Sequence, residues 1–121
     1  MNHKGYVINL ESETETNEYY RKVLYTVPSS MQLVVMSLEP GEDIPMEIHK
    51  NQSQFIRIES GYGTLVMDNV RYELSPGTGF IVPYGTPHWV INTSNNEKLK
   101  LYSIYAPPEH PVNRLDIDQP L

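Results

Sequence analysis

The sequence predicts an all-β sandwich or barrel, on three observations. Ten prolines and seven glycines cut it into short runs rich in Val, Ile, Leu and Tyr, a composition of many short strands rather than of helices. Turn residues recur between these runs. Neither a heptad pattern nor a repeat of about 20–50 residues is present, which removes coiled coils and solenoids and leaves a sandwich or barrel.

Taken in order, candidate strands cover residues 19–27, 31–38, 46–49, 54–60, 63–68, 70–74, 79–82, 88–94 and 98–105. Residues 5–10 are apolar enough to pair as a further strand, across a subunit boundary. Residues 11–18, Glu-Ser-Glu-Thr-Glu-Thr-Asn-Glu, cannot contribute to a core and read as a solvated acidic loop. Asp68-Asn69 and Asn95-Asn96 sit where tight turns are needed, and both are read as hairpin connections. After Tyr105 the run Ala-Pro-Pro-Glu-His-Pro forbids a ladder and predicts an extended strap, with a loosely ordered tail to Leu121. The expected organisation is one domain over 1–121: a core of about 19–106, an N-terminal strand and acidic loop over 1–18, and an extended tail over 107–121.

A chain of 121 residues is long enough to bury roughly two thirds of its unfolded surface without staples. It has no cysteine, so disulfides and zinc-thiolate sites are excluded and a reducing compartment is compatible. Any metal must bind through nitrogen and oxygen. A formal net charge of -6 argues against a duplex-binding surface, which must neutralise phosphates. No signal-peptide core and no membrane-length apolar run is visible. The expectation is a cytoplasmic protein whose partners are small molecules rather than nucleic acid or membrane.

Two cassettes carry the chemistry. The first, residues 41–61, contains Glu47, His49 and Gln54; the second, residues 77–92, contains His88 after the rigid turn Pro83-Tyr-Gly-Thr-Pro87. Glu47 and His49 stand at i and i+2 on one predicted strand, so both point to one face about 6–7 Å apart. A four-residue turn, 50–53, lets Gln54 face back toward His49. Four metal-competent side chains thus come within reach of one ion.

These cassettes resemble the two sequence motifs of the cupin superfamily, small double-stranded β-helix (jelly-roll) barrels. Gly41, Glu47, His49, Gln54 and Gly61 match the first motif, and Gly77, Pro83, Gly85, His88 and Asn92 match the second. The resemblance implies a divalent metal held by Glu47, His49, Gln54 and His88, and a homodimer in which the strand over 5–10 takes part. Within the superfamily the chain is similar to short single-domain proteins of the mannose-6-phosphate isomerase-like type. It departs from the commoner pattern with Glu47 where histidine is usual and Gln54 where glutamate is usual. Two nitrogens and two oxygens shift preference toward manganese, iron or zinc and away from copper.

The implied function is a metal-dependent enzyme on a small oxygenated or sugar-like substrate, isomerising or epimerising it or adding dioxygen; the alternative is a non-catalytic sugar or metabolite binding module. No residue is assigned as catalytic. Tyr102 and Tyr105 are the candidates for a hydrogen-bond donor in the pocket, against core packing. Arg57 is expected to pair with Glu59 or Glu73. His3 and His110 lie outside both motifs and are left out of the site.

Overall fold

A computed structural model describes residues 4–121; the expectation for His3 lies outside them. Ten strands form two antiparallel sheets. They are β1 (Arg21–Val27), β2 (Met31–Leu38), β3 (Asp43–Glu47), β4 (Ser53–Ser60), β5 (Gly63–Met67), β6 (Val70–Leu74), β7 (Gly79–Val82), β8 (His88–Ile91), β9 (Leu99–Ala106) and β10 (Leu115–Asp116), preceded by one helix, α1 (Leu10–Thr16). The six-stranded sheet has the order β10-β1-β2-β9-β4-β7, and the four-stranded sheet β3-β8-β5-β6. Two antiparallel sheets closing on one core make the jelly-roll barrel that the turn-rich sequence predicts.

The interior is layered by register. Gln32, Tyr105, Gln54 and Val82 lie opposite one another across β2, β9, β4 and β7; the next inward set is Val34, Ser103, Ile56 and Phe80, and then Met36, Leu101 and Ile58. One end of the barrel is therefore polar and the other apolar. From the four-stranded sheet, Ile44, Leu65, Leu74 and Val90 join the same buried cluster.

Several sequence expectations need correction. Residues 5–9 form no strand; Tyr6 instead stacks on Tyr25 with ring centroids 4.6 Å apart, and the Tyr25 hydroxyl donates to the Lys4 carbonyl. Most of the acidic run is helical. Asn9 caps α1 by accepting from the Ser12 N–H at 2.9 Å, Glu11 and Glu13 occupy the first turn, where negative charge suits the helix dipole, and Thr14 is buried. The buried Lys100 ammonium donates to the Glu15 and Asn17 carbonyls at 2.9 and 2.7 Å and to the Glu18 carboxylate at 3.1 Å, anchoring the helix end to β9.

Asp68 and Asn69 both adopt positive φ, 52° and 66°, as a two-residue hairpin between β5 and β6 requires. Asn95-Asn96 does not close a hairpin, because β8 and β9 belong to different sheets. The four-residue turn expected over 50–53 is instead part of a 48–52 connection, with Ser53 already in β4, and it likewise crosses between sheets rather than joining paired strands. The tail is tied down rather than loose: β10 pairs with β1, Arg21 bonds Asp116 at 2.6 Å, and Gln119 donates to Asp43 at 2.9 Å. Arg57 pairs with Glu59 at 2.9 Å.

Two glycines make different demands. Gly61 has φ +90°, and a Cβ there would stand 2.3 Å from the Lys98 carbonyl oxygen, whereas Gly77, φ +92°, has nothing within 4 Å. Gly77→Ala should cost only the backbone strain, about 1 kcal/mol. Gly61→Ala should cost at least about 3 kcal/mol, because backbone rather than a flexible side chain must move. Urea unfolding of both variants checks this; equal losses would show that the close approach at Gly61 is relieved without cost.

Candidate metal centre

The site begins with a β-bulge. Along β3 and β8 the pairing runs Asp43 to Ile91, Ile44 to Val90, then Glu47 to His88, with a register shift between Ile44 and Glu47. Strict alternation from the buried Ile44 would send Met46 inward and Glu47 outward. The extra residue leaves Pro45 and Met46 exposed and turns Glu47 in, directly across from His88. β3 thus starts and ends earlier than the sequence suggests, and His49 lies just past it. Alternation continues through the exposed Ile48, so Glu47 and His49 do share a face.

The second cassette braces the first. The Gly85 N–H donates to the His49 carbonyl at 2.8 Å, so the Pro83–Pro87 turn fixes the backbone that carries His49. The same turn delivers His88 as the first residue of β8. His88 and His49 are buried, at 1% and 7% exposure, with ring centroids 5.1 Å apart.

The atoms converge. One oxygen or nitrogen from each of Glu47, His49 and His88 lies within 4.8 Å of the others. Glu47 Oε1 is 3.0 Å from His49 Nε2 and 3.5 Å from His88 Nε2. Donors bound at about 2.1 Å to one ion stand roughly 3 Å apart when they are neighbours on it, so the spacing fits a shared cation.

Protonation supports the same fit. His88 Nδ1 lies 2.9 Å from the Thr86 carbonyl, an acceptor that requires the proton on Nδ1 and leaves Nε2 as a bare lone pair. That Nε2 is buried without a hydrogen-bond partner and faces a carboxylate, another acceptor. A lone pair buried against an anion is costly unless a cation or proton joins them. Gln54 repeats the pattern: its Nε2 donates to Ser103 Oγ at 3.1 Å, while its Oε1 is buried and unpartnered. Among the described residues Glu47, His49 and His88 form a group that could hold a divalent metal through nitrogen and oxygen.

The six-stranded sheet closes the other side. Tyr105, buried, presents its ring at right angles to His49 at 5.5 Å; burial, reinforced by the Glu47 charge, pushes its hydroxyl pKa up, so it stays protonated. Tyr102 is not in the pocket, since it alternates to the outer face and packs near Phe55 at 6.2 Å. Trp89 is likewise half-buried and donates to Asp43 at 2.7 Å. The sequence reading left out His110 and did not single out Glu109, yet the strap returns both to the site. His110 packs edge-on to Tyr105 at 5.2 Å, and Glu109 Oε2 lies 3.6 Å from His49 Nδ1. The Pro-Pro-Glu-His run was the available signal, but no strand spacing links it to the cassettes.

Burial by itself pushes the Glu47 carboxyl up, but the hydrogen-bonded His49 and the neighbouring His88 outweigh it and hold it at about 2, below the ordinary 4.5. Burial pulls His49 down, but the Glu47 hydrogen bond and the Glu47 and Glu109 charges raise it above 6.5. In the metal-free protein the Glu47 contribution to stability is therefore full above about pH 5 and lost as pH falls toward 2; that of His49 is full below 6.5 and lost as pH rises through its raised value. Urea midpoints of metal-free wild type should fall more steeply between pH 5 and 2 than those of Glu47→Gln. Parallel curves would show that Glu47 is not paired as described.

The sequence profile of the cupin domain matches residues 34–105. An uncharacterized protein of Acanthamoeba polyphaga mimivirus is 44% identical over 118 residues, 95% of this chain and 73% of that protein. Uncharacterized YrkC of Bacillus subtilis is 45% identical over 114 residues, and the chain spans 60% of its length. The quercetin 2,3-dioxygenase of Bacillus subtilis is 29% identical over 79 residues, 65% of this chain and 23% of that enzyme. The crystal structure of a Bacillus halodurans protein, 40% identical, superposes with a TM-score of 0.89 over 95% of this chain and 90% of that one. With the profile spanning most of the barrel and the fold shared at this level of identity, the chain belongs to the cupin family.

Proposed function

We propose that the protein binds one divalent metal ion through Glu47, His49, Gln54 and His88, and acts there on a small oxygen-rich substrate, with oxygenation favoured over isomerisation. The observation that carries this reading is the buried, unpartnered His88 Nε2 facing Glu47 and His49. Two histidines and one carboxylate are the donor group of non-haem iron oxygenases, and similarity to a quercetin 2,3-dioxygenase supports the same class. Isomerisation of a sugar-like hydroxy-ketone, as in the mannose-6-phosphate isomerase-like type, needs in addition a base beside the substrate.

Glu47, His49, Gln54 and His88 would hold the ion, which would supply Lewis acidity, and redox chemistry if it is iron, to a bound substrate. The chain's own residues prepare that chemistry. Thr86 fixes the His88 tautomer, Ser103 orients the Gln54 amide so that its oxygen faces inward, and the Gly85 N–H holds the His49 backbone. Tyr105, kept protonated by burial, is a hydrogen-bond donor for a substrate oxygen. The Val34, Ile56, Ile44 and Val90 side chains beneath the polar layer exclude water from its inner side.

Elemental analysis of protein purified without added metal tests the binding step. Wild type should carry close to one equivalent, and His49→Ala or His88→Ala none. Glu47→Ala should lose most of it and Gln54→Ala only part, because a neutral amide oxygen contributes less than a carboxylate or imidazole. Equal metal in wild type and in the double histidine variant would end the proposal. Dioxygen uptake by iron-loaded protein with a panel of enediols and α-hydroxyketones tests turnover; binding without uptake or isomerisation of any of them would leave a non-catalytic binding module.

A further inference from the structure

We propose that Glu109 is a positioning residue for His49: it accepts the Nδ1 proton and thereby presents Nε2 to the metal. The inference rests on the reading of His49 as a ligand, and deepens it.

The strap that follows β9 is held chiefly by one side chain. Gln32 is wholly buried on the inner face of β2. Its Oε1 accepts the backbone N–H groups of Glu109 and His110 at 3.3 and 3.0 Å, and its Nε2 donates to the His110 carbonyl at 2.8 Å and to Thr26 Oγ1 at 3.0 Å. Gln52 adds a longer contact to the Pro108 carbonyl at 3.5 Å. Three hydrogen bonds from one immobile amide fix the backbone at 109–110 in the manner of a short strand. The Glu109 side chain is thereby delivered to the barrel mouth, with its carboxylate 3.6 Å from His49 Nδ1.

His49 thus has a carboxylate at each ring nitrogen, Glu47 at Nε2 and Glu109 at Nδ1. A neutral imidazole carries one proton, and a nitrogen that ligates must not carry it. Nε2 is the nitrogen shared with Glu47 and turned toward His88, so the proton belongs on Nδ1, where Glu109 is the acceptor. A movement of roughly half an ångström brings the 3.6 Å contact to hydrogen-bond length. His88 meets the same requirement with a backbone carbonyl, that of Thr86. The two histidines are therefore oriented by different means: one by the turn that carries it, the other by a carboxylate from the far end of the chain. A carboxylate acceptor also raises the basicity of the ligating nitrogen, which a backbone carbonyl does more weakly.

Zinc affinity, read by competition with a chromophoric chelator, tests this. Glu109→Ala should weaken Zn²⁺ binding about 10–100-fold, the usual effect of removing such a partner, in a protein that remains folded. Glu109→Gln, which keeps a neutral acceptor, should recover part of the loss. In ¹⁵N ring spectra of the zinc-loaded protein His49 should be protonated at Nδ1, and that signal should broaden or shift in Glu109→Ala while the His88 signals stay. Unchanged zinc affinity and unchanged His49 signals in Glu109→Ala would overturn the proposal. So would loss as complete as in His49→Ala, which would make Glu109 a ligand. If His49→Ala and His88→Ala themselves bind zinc like wild type, the metal reading fails; if they lose it and Glu109→Ala does not, only this inference fails.

Discussion

The register of β3 against β8 is the constraint on which the site depends. Side chains on a strand alternate, so a slip of one residue exchanges every inward group for an outward one. The bulge between Ile44 and Glu47 makes this exchange locally. It keeps Ile44 in the apolar core, sends Pro45 and Met46 to solvent, and sets Glu47 opposite His88. Without it the carboxylate would face water and neither histidine would have a carboxylate beside its Nε2. The exposed Met46, at 51%, is what the chain gives up for that arrangement.

Around this pairing the barrel separates its interior by chemistry. The four-stranded sheet supplies Glu47 and His88 and leads into His49; the six-stranded sheet answers with Gln54 and Tyr105 at the same level. Below them, Val34, Ile56, Met36, Leu101 and Ile58 are fully or nearly fully buried. The apolar layers provide the stability that lets a few polar atoms at the other end remain unpartnered, since an orphaned buried acceptor costs on the order of 1–3 kcal/mol. Low dielectric there also strengthens whatever charge the acceptors take up.

Connectivity adds a second feature. Each segment that borders the candidate site is braced by one distant in sequence: His49 by Gly85, Gln54 by Ser103, and the strap at 109–110 by Gln32. Even the tail beyond the barrel contributes, through Asp116 on Arg21 and Gln119 on Asp43. The site is thus held by contacts between strands and between sheets rather than by any single loop.

The barrel and the shared face of Glu47 and His49 were legible because both are local: turn residues mark strand ends, and i, i+2 spacing sets a face; His88 joined them through the resemblance of its cassette. The two-residue turn at Asp68-Asn69 was legible for the same reason. The helix over Leu10–Thr16 was missed although Asn9 and the acidic first turn announce it, because only Thr14 is buried and no apolar period shows. The false hairpin at Asn95-Asn96 arose because sequence neighbours were assumed to pair, whereas a jelly roll sends successive strands to different sheets. By itself the sequence determined the all-β class, the turns and the donor types. Only the tertiary structure decided that a bulge turns Glu47 inward, that the tail is ordered, and that Glu109 and Tyr105 border His49. Those are outcomes of register and long-range packing, which no local spacing encodes.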